Sequence, residues 1–147
     1  MSNSQHQAKQ NYKIINLSLA GIILFIFIYS GLFSPQESKH PVPSFYTQIT
    51  KAKSPSTGLS RSFSAIVRGD LPLAKTFNPY GVQIFLFFTF QFVFRVFSFI
   101  LIKDQFSLIK PYIFADILLS VIGFYIAFKP LILFTIELFQ KTIVNYG

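Results

Sequence analysis

The 147-residue chain contains no cysteine, no tryptophan, one methionine and only five acidic residues. Without cysteine there is no disulfide framework, no thiolate metal site and no thiol redox chemistry. Charge of either sign is scarce: 12% of residues are charged, against about 25% in an ordinary soluble domain. What fills the space is apolar. Hydrophobic residues make up 52%, with 20 phenylalanines, and they are bunched into runs instead of recurring at a surface-helix period. That excludes a disordered tail and describes a membrane protein of one domain, with a few spans and the loops between them. There is no internal repeat and no low-complexity tract.

Three runs are long enough to cross a bilayer. Ile14 to Phe33 has no charge over twenty residues, about 30 Å of helix, one hydrocarbon core. A secretory signal peptide is the rival reading, because Lys9 and Lys13 precede the run. The run exceeds the usual apolar stretch of about 7–15 residues, and Ser-Gly-Leu-Phe makes a poor cleavage site, so an uncleaved first span is expected. Val82 to Ile102 carries eight phenylalanines spread around the helix, as suits a helix with lipid on most faces. The third run spans Tyr112 to Phe128, and Lys129-Pro130 follows it. Proline ends or kinks a helix, so a span leaving near Lys129 and a short apolar helix over 129–147 are expected, with one long kinked span as the alternative. Runs of this length without alternation are not barrel strands. The fold class is therefore an all-α membrane protein with three transmembrane helices. Its parts are a polar tail (1–13), spans at 14–33, 81–102 and 112–128, a polar loop at 34–80 and a short loop at 103–111.

The polar loop is punctuated for helices. Ser54 or Thr57 can cap a first helix over about 57–68, and Gly69 is a left-handed stop. Asp70 can cap a second over 71–77, and Asn78-Pro79 can open the next span. On the first helix Leu59, Phe63, Ile66 and Val67 share one side, with Arg61 and Arg68 opposite. This predicts an amphipathic helix along the membrane interface or against the bundle, with two guanidinium groups facing headgroups or water. The loop 34–80 has six cations and two anions, so attraction to anionic lipid is one reading and an ordinary topology signal is the other.

The run Ser54-Pro55-Ser56-Thr57-Gly58-Leu59-Ser60-Arg61-Ser62-Phe63, followed by Arg68-Gly69-Asp70, Ala74 and Asn78-Pro79, resembles the signature of a bacterial membrane family, domain of unknown function 2752. That pattern reads Cys-Pro-x-Cys-Gly-Leu-Thr-Arg, then a turn, then Asn-Pro entering a span. The resemblance covers about residues 41–102, and Pro55, Gly58, Leu59, Arg61, Gly69, Asn78 and Pro79 fall where the pattern places them. Both cysteines are replaced here, by Ser54 and Thr57, so a role resting on a Cys-x-x-Cys pair cannot operate. The resemblance implies a bacterial membrane protein and no known activity.

Within the second span Gln91, Arg95 and Ser98 share a face. Arg95 lies about 10 Å deep, where an arginine costs at least about 2.5 kcal/mol and looks for a partner or a cavity. Asp116, four residues into the third span from the same side, is the evident partner. The expectation is an Arg95–Asp116 ion pair with Gln91 and Ser120 nearby; the alternative has Arg95 snorkelling and Asp116 capping its own helix. Asp116, Ser120, Gly123 and Ala127 form a stripe of small residues suited to packing inside the bundle or against a second copy. His6 and His40 are the two histidines and have no partner at metal-ligand spacing. Arg68-Gly69-Asp70 reads as one helix stopping and the next starting.

No catalytic residue, metal or cofactor is assigned, and the reading leans away from an enzyme. Two functions stay open. One is a non-catalytic partner or accessory subunit in the bacterial cytoplasmic (inner) membrane. The other is a lipid- or anion-binding membrane enzyme or transporter component in which Arg61, Arg68 and Asn78 gather round a phosphate or headgroup and Arg95 with Asp116 lines a polar pocket. Expected neighbours are membrane lipids and a membrane protein partner or second copy; the cations are too scattered for nucleic acid. Flanking lysines and arginines number four on the N-terminal side and eight on the other, favouring a cytoplasmic long loop. A reporter fused after Gly147 is accordingly expected to show cytoplasmic activity, and extracytoplasmic activity would reverse the orientation.

Overall fold

The computed structural model describes residues 3–35, 55–102 and 108–146. Ser54, His40 and the rest of 36–54 lie outside the described residues, as do 103–107. Among those described there are five helices and no strand: α1 (Asn3–Leu32), α2 (Leu59–Val67), α3 (Leu71–Phe77), α4 (Gly81–Leu101) and α5 (Ile109–Tyr146). α1, α4 and α5 are long and apolar enough to cross a membrane, which makes this a membrane-embedded helical protein.

α1 begins eleven residues before the apolar run, so the expected polar tail is helical from Asn3. Residues 4–13 contain neither glycine nor proline and include six good helix formers, Gln5, Gln7, Ala8, Lys9, Gln10 and Lys13; continuing the helix is cheaper than nucleating it anew at Ile14. The extension buries Lys9 and Tyr12 on the stripe that continues through Asn16, Ala20 and Ile23.

α5 is also longer than expected. It continues through Pro130, so the 129–147 segment is not a separate helix up to Tyr146. A proline disturbs the carbonyls one turn before it. Here Gln83 of α4 donates to the Ala127 carbonyl at 2.9 Å, meeting the need for internal partners that lipid imposes. At about 1.5 Å per residue, the 38-residue helix is about 57 Å long and overshoots a single hydrocarbon core.

The register is visible in the side-chain pairs. Asp116, Ser120, Phe124 and Ala127 of α5 meet Arg95, Gln91, Phe87 and Gln83 of α4, an antiparallel pairing. Asn16 and Phe27 of α1 meet Arg95 and Phe85, so α1 is antiparallel to α4 as well. The phenylalanines of α4 serve three neighbours: Phe85 meets Phe27 of α1 at 5.0 Å and Phe63 of α2 at 5.2 Å, and Phe87 meets Phe128 of α5 at 5.8 Å between centroids. Gly123 receives the Phe87 ring, so the small-residue stripe packs inside the bundle.

α2 and α3 form a knot on the end of this bundle. Phe63 and Ala65 are buried, together with Ser62 and Ser64, while Val67 is exposed. The buried face is therefore rotated from the expected Leu59–Phe63–Ile66–Val67 stripe. The reason is a close approach: Ser62 sits on Gly81 at the start of α4, where an added Cβ would collide with the Ser62 hydroxyl and lie 2.7 Å from its Cβ. Only small side chains fit there.

Ser54 lies outside the described residues, and Thr57 is not the N-cap of α2. Its N-cap is Gly58, with φ +77° and no side-chain hydrogen bond; a Cβ there would strike the Phe77 carbonyl. Asp70 caps α3, accepting from Leu73 N at 2.9 Å. Asn78 does more than start α4. Its amide donates to the carbonyls of Pro55 (2.7 Å) and Thr57 (3.0 Å), and its oxygen accepts from Tyr80 N (2.8 Å). One buried side chain clasps both ends of the knot, and α4 itself starts three residues later.

Overpacking of this kind typically costs about 1–3 kcal/mol. Gly81→Ala is expected to lower thermal stability in detergent by that amount, and by clearly less in a Ser62→Gly background. Equal losses in both backgrounds would disprove the contact.

Candidate functional site

The candidate site is a polar layer inside the bundle, built from two residues of each span. Periodicity places them: Tyr12 and Asn16, Gln91 and Arg95, and Asp116 and Ser120 are each four apart and so stand one above the other on their helix. Arg95 and Asp116 form an ion pair, Nη1 to Oδ2 at 2.5 Å, with side-chain exposures of 9% and 2%. The guanidinium also donates from Nη1 to Asn16 Oδ1 (3.0 Å), and from Nη2 to Gln91 Oε1 (3.1 Å) and Ser120 Oγ (2.8 Å). Asp116 accepts on Oδ2 from the Tyr12 hydroxyl (2.6 Å) and on Oδ1 from Ser120 Oγ (3.2 Å). Asn16 Nδ2 donates back to the Tyr12 carbonyl at 2.9 Å. Below the layer, Ser98 and the Tyr112 hydroxyl share a hydrogen bond of 2.8 Å.

The charges cancel and the donors find acceptors within the layer. This is what hydrocarbon demands: an unpaired charge there is expensive, and charge-assisted hydrogen bonds are correspondingly strong. Chemically the arrangement ties three helices together; its one carboxylate is held by a guanidinium and two hydroxyls. On one side the layer meets an apolar groove of about 370 Å³ between α1 and α5, floored by Phe87 and Phe88, with Gln91, Arg95 and Ser120 at its polar end.

The interfacial residues expected to act together are divided. Arg68 turns to α1: Nη1 donates to the carbonyls of Ser30 (3.3 Å) and Ser64 (2.8 Å), and Nη2 to that of Gly31 (3.0 Å). A cation on the last carbonyls of a helix suits both their unmet acceptors and the helix dipole. Arg61 Nε donates to the Pro35 carbonyl at 2.7 Å, and its guanidinium lies 4.1 Å from the centroid of the Phe77 ring. Asn78 is the clasp already described. Neither arginine simply points to water, and of the trio Arg61 and Asn78 line a common cavity while Arg68 does not.

Tyr12 and Asn16 were not among the residues expected at the site. A signal existed: Asn16 is an amide in an apolar run, and Tyr12, Asn16 and Ala20 recur every fourth residue. Among the described residues no group of three or more His, Cys, Asp or Glu side chains could hold a metal. No family model, curated protein or solved structure matches the chain.

Removing one partner of a buried ion pair leaves the other uncompensated, at about 3–5 kcal/mol. Arg95→Leu and Asp116→Leu are each expected to destabilise the detergent-solubilised protein by that order, and the double variant less than either single one. Additive losses in the double would show that the two residues do not interact. Tyr12→Phe, which removes a hydrogen bond to a charged group, should cost about 1.5–3 kcal/mol.

Proposed function

We propose that the chain is a non-catalytic partner or accessory subunit of an assembly in the bacterial cytoplasmic membrane. The observation that carries this reading is that the groups of the polar layer satisfy one another. Arg95, Asp116, Gln91, Ser120, Asn16 and Tyr12 are turned on one another, which suits a scaffold held in one geometry better than a centre that must release a proton or admit a substrate. The outward surface fits the same role. α5 packs against α1 and α4 alone among the described helices, and it presents Leu118, Ile122 and Tyr125 outward on one face. The bacterial setting rests on the resemblance carried by Pro55, Gly58, Leu59, Arg61, Gly69, Asn78 and Pro79, several of which shape the knot.

The test is native mass spectrometry of tagged protein extracted from its own membranes in mild detergent. A defined assembly above the 16.8 kDa monomer is expected. Truncating Leu118, Ile122 and Tyr125 to alanine should weaken it while leaving the monomer's melting unchanged. A bare monomer, or a co-purifying small molecule that the protein converts, would overturn the reading.

A further inference from the structure

The knot and the neighbouring stretch of α5 enclose a second cavity, of about 580 Å³, lined by Thr57, Gly58, Arg61, Phe77, Tyr80 and Phe134 among others. That volume lies within the about 300–1,000 Å³ of small-molecule sites. Its place is the end of the bundle where α4, a helix long and apolar enough to cross a membrane, begins. The ends of such helices commonly offer an aromatic residue such as Tyr80.

Arg61 is its cation. The Nε bond to the Pro35 carbonyl and the Phe77 ring beneath the plane fix the guanidinium in orientation. Among the described residues neither Nη1 nor Nη2 makes a hydrogen bond. A guanidinium held at its near end with its terminal donors unengaged is the geometry that takes phosphate oxygens two at a time. α2 reinforces it, since its N-cap residue, Gly58, has no side chain to fill the space and lines the same cavity; helix N-termini favour anions. An adjoining cavity of about 390 Å³ is lined by both Lys129 and Glu137. These offset one another, so Arg61 sets the sign. Arg68 and Asn78 contribute no donor, their nitrogens being engaged with backbone carbonyls.

We propose that Arg61 and the start of α2 bind a phosphate oxyanion at the membrane boundary, whether carried by a lipid headgroup or free in solution. The site is independent of the accessory-subunit reading, because neither the polar layer nor the outer face of α5 takes part.

The full-length protein in detergent is to be titrated with phosphatidylglycerol, with phosphate-free diacylglycerol and with inorganic phosphate, and bound species counted by native mass spectrometry. Wild type should retain phosphatidylglycerol about tenfold better than diacylglycerol, as about 1.4 kcal/mol of charge-assisted bonding requires. Arg61→Gln should lose that preference, and Lys75→Gln, whose side chain lies outside the cavity, should keep it. Phe134→Glu places an anion in the cavity while leaving both Arg61 contacts in place, and should lose the preference as well; it carries the test if Arg61→Gln does not fold. Displacement of the lipid by inorganic phosphate would assign a soluble source, and its absence a headgroup held partly by its chains. Either supports the site. Equal retention of the two lipids by wild type, or unchanged retention in either folded variant, overturns it.

Discussion

A guanidinium buried among hydrocarbon has no water to turn to, and the rest of this fold follows from giving Arg95 enough acceptors. One carboxylate neutralises it, but two carboxylate oxygens cannot meet a planar group with donors spread round its edge. The remainder come from Asn16, Gln91 and Ser120, and the carboxylate is itself supported by Tyr12 and Ser120. Because these residues belong to three helices, the electrostatic requirement fixes the relative height and rotation of all three. Apolar packing alone would specify far less in lipid, where tails are as apolar as side chains. The phenylalanine contacts fill the register that the polar layer sets.

Most of the layer was legible because its logic is local. Gln91 and Arg95, and Asp116 and Ser120, are each a helical turn apart, and the depths of Arg95 and Asp116 can be counted from the span ends. Tyr12 and Asn16 were harder, since Tyr12 lies before the apolar run and only the continuation of α1 into the polar segment brings it to the layer. The α5 continuation was hidden for a different reason. Proline's effect depends on whether the disturbed carbonyls find other donors, and the donor, Gln83, is 44 positions away in the chain.

The interfacial segment shows the same limit. Helical periodicity separates Arg61 and Arg68 from the apolar side of α2, but it cannot say that the polar side faces carbonyls at the end of α1. Asp70 as a cap is a matter of neighbouring residues and could be read directly. The clasp at Asn78 joins Pro55, Thr57 and Tyr80 across more than twenty positions, and the Gly81–Ser62 approach across nineteen; such closures are tertiary facts. They explain why small or amide residues stand at these places without invoking chemistry at any of them.

The division of the layer among three spans also imposes an order on biosynthesis. The chain emerges N-terminus first, so Tyr12 and Asn16 are waiting when Arg95 arrives, whereas Asp116 is made 21 residues later. At about 5–20 residues per second, the guanidinium spends about 1–4 s with an amide oxygen and a glutamine as its intramolecular acceptors. During that interval α4 is a poor solitary resident of lipid. Helices α4 and α5 are therefore suited to leave the insertion machinery as a pair, with the arginine neutralised on the way.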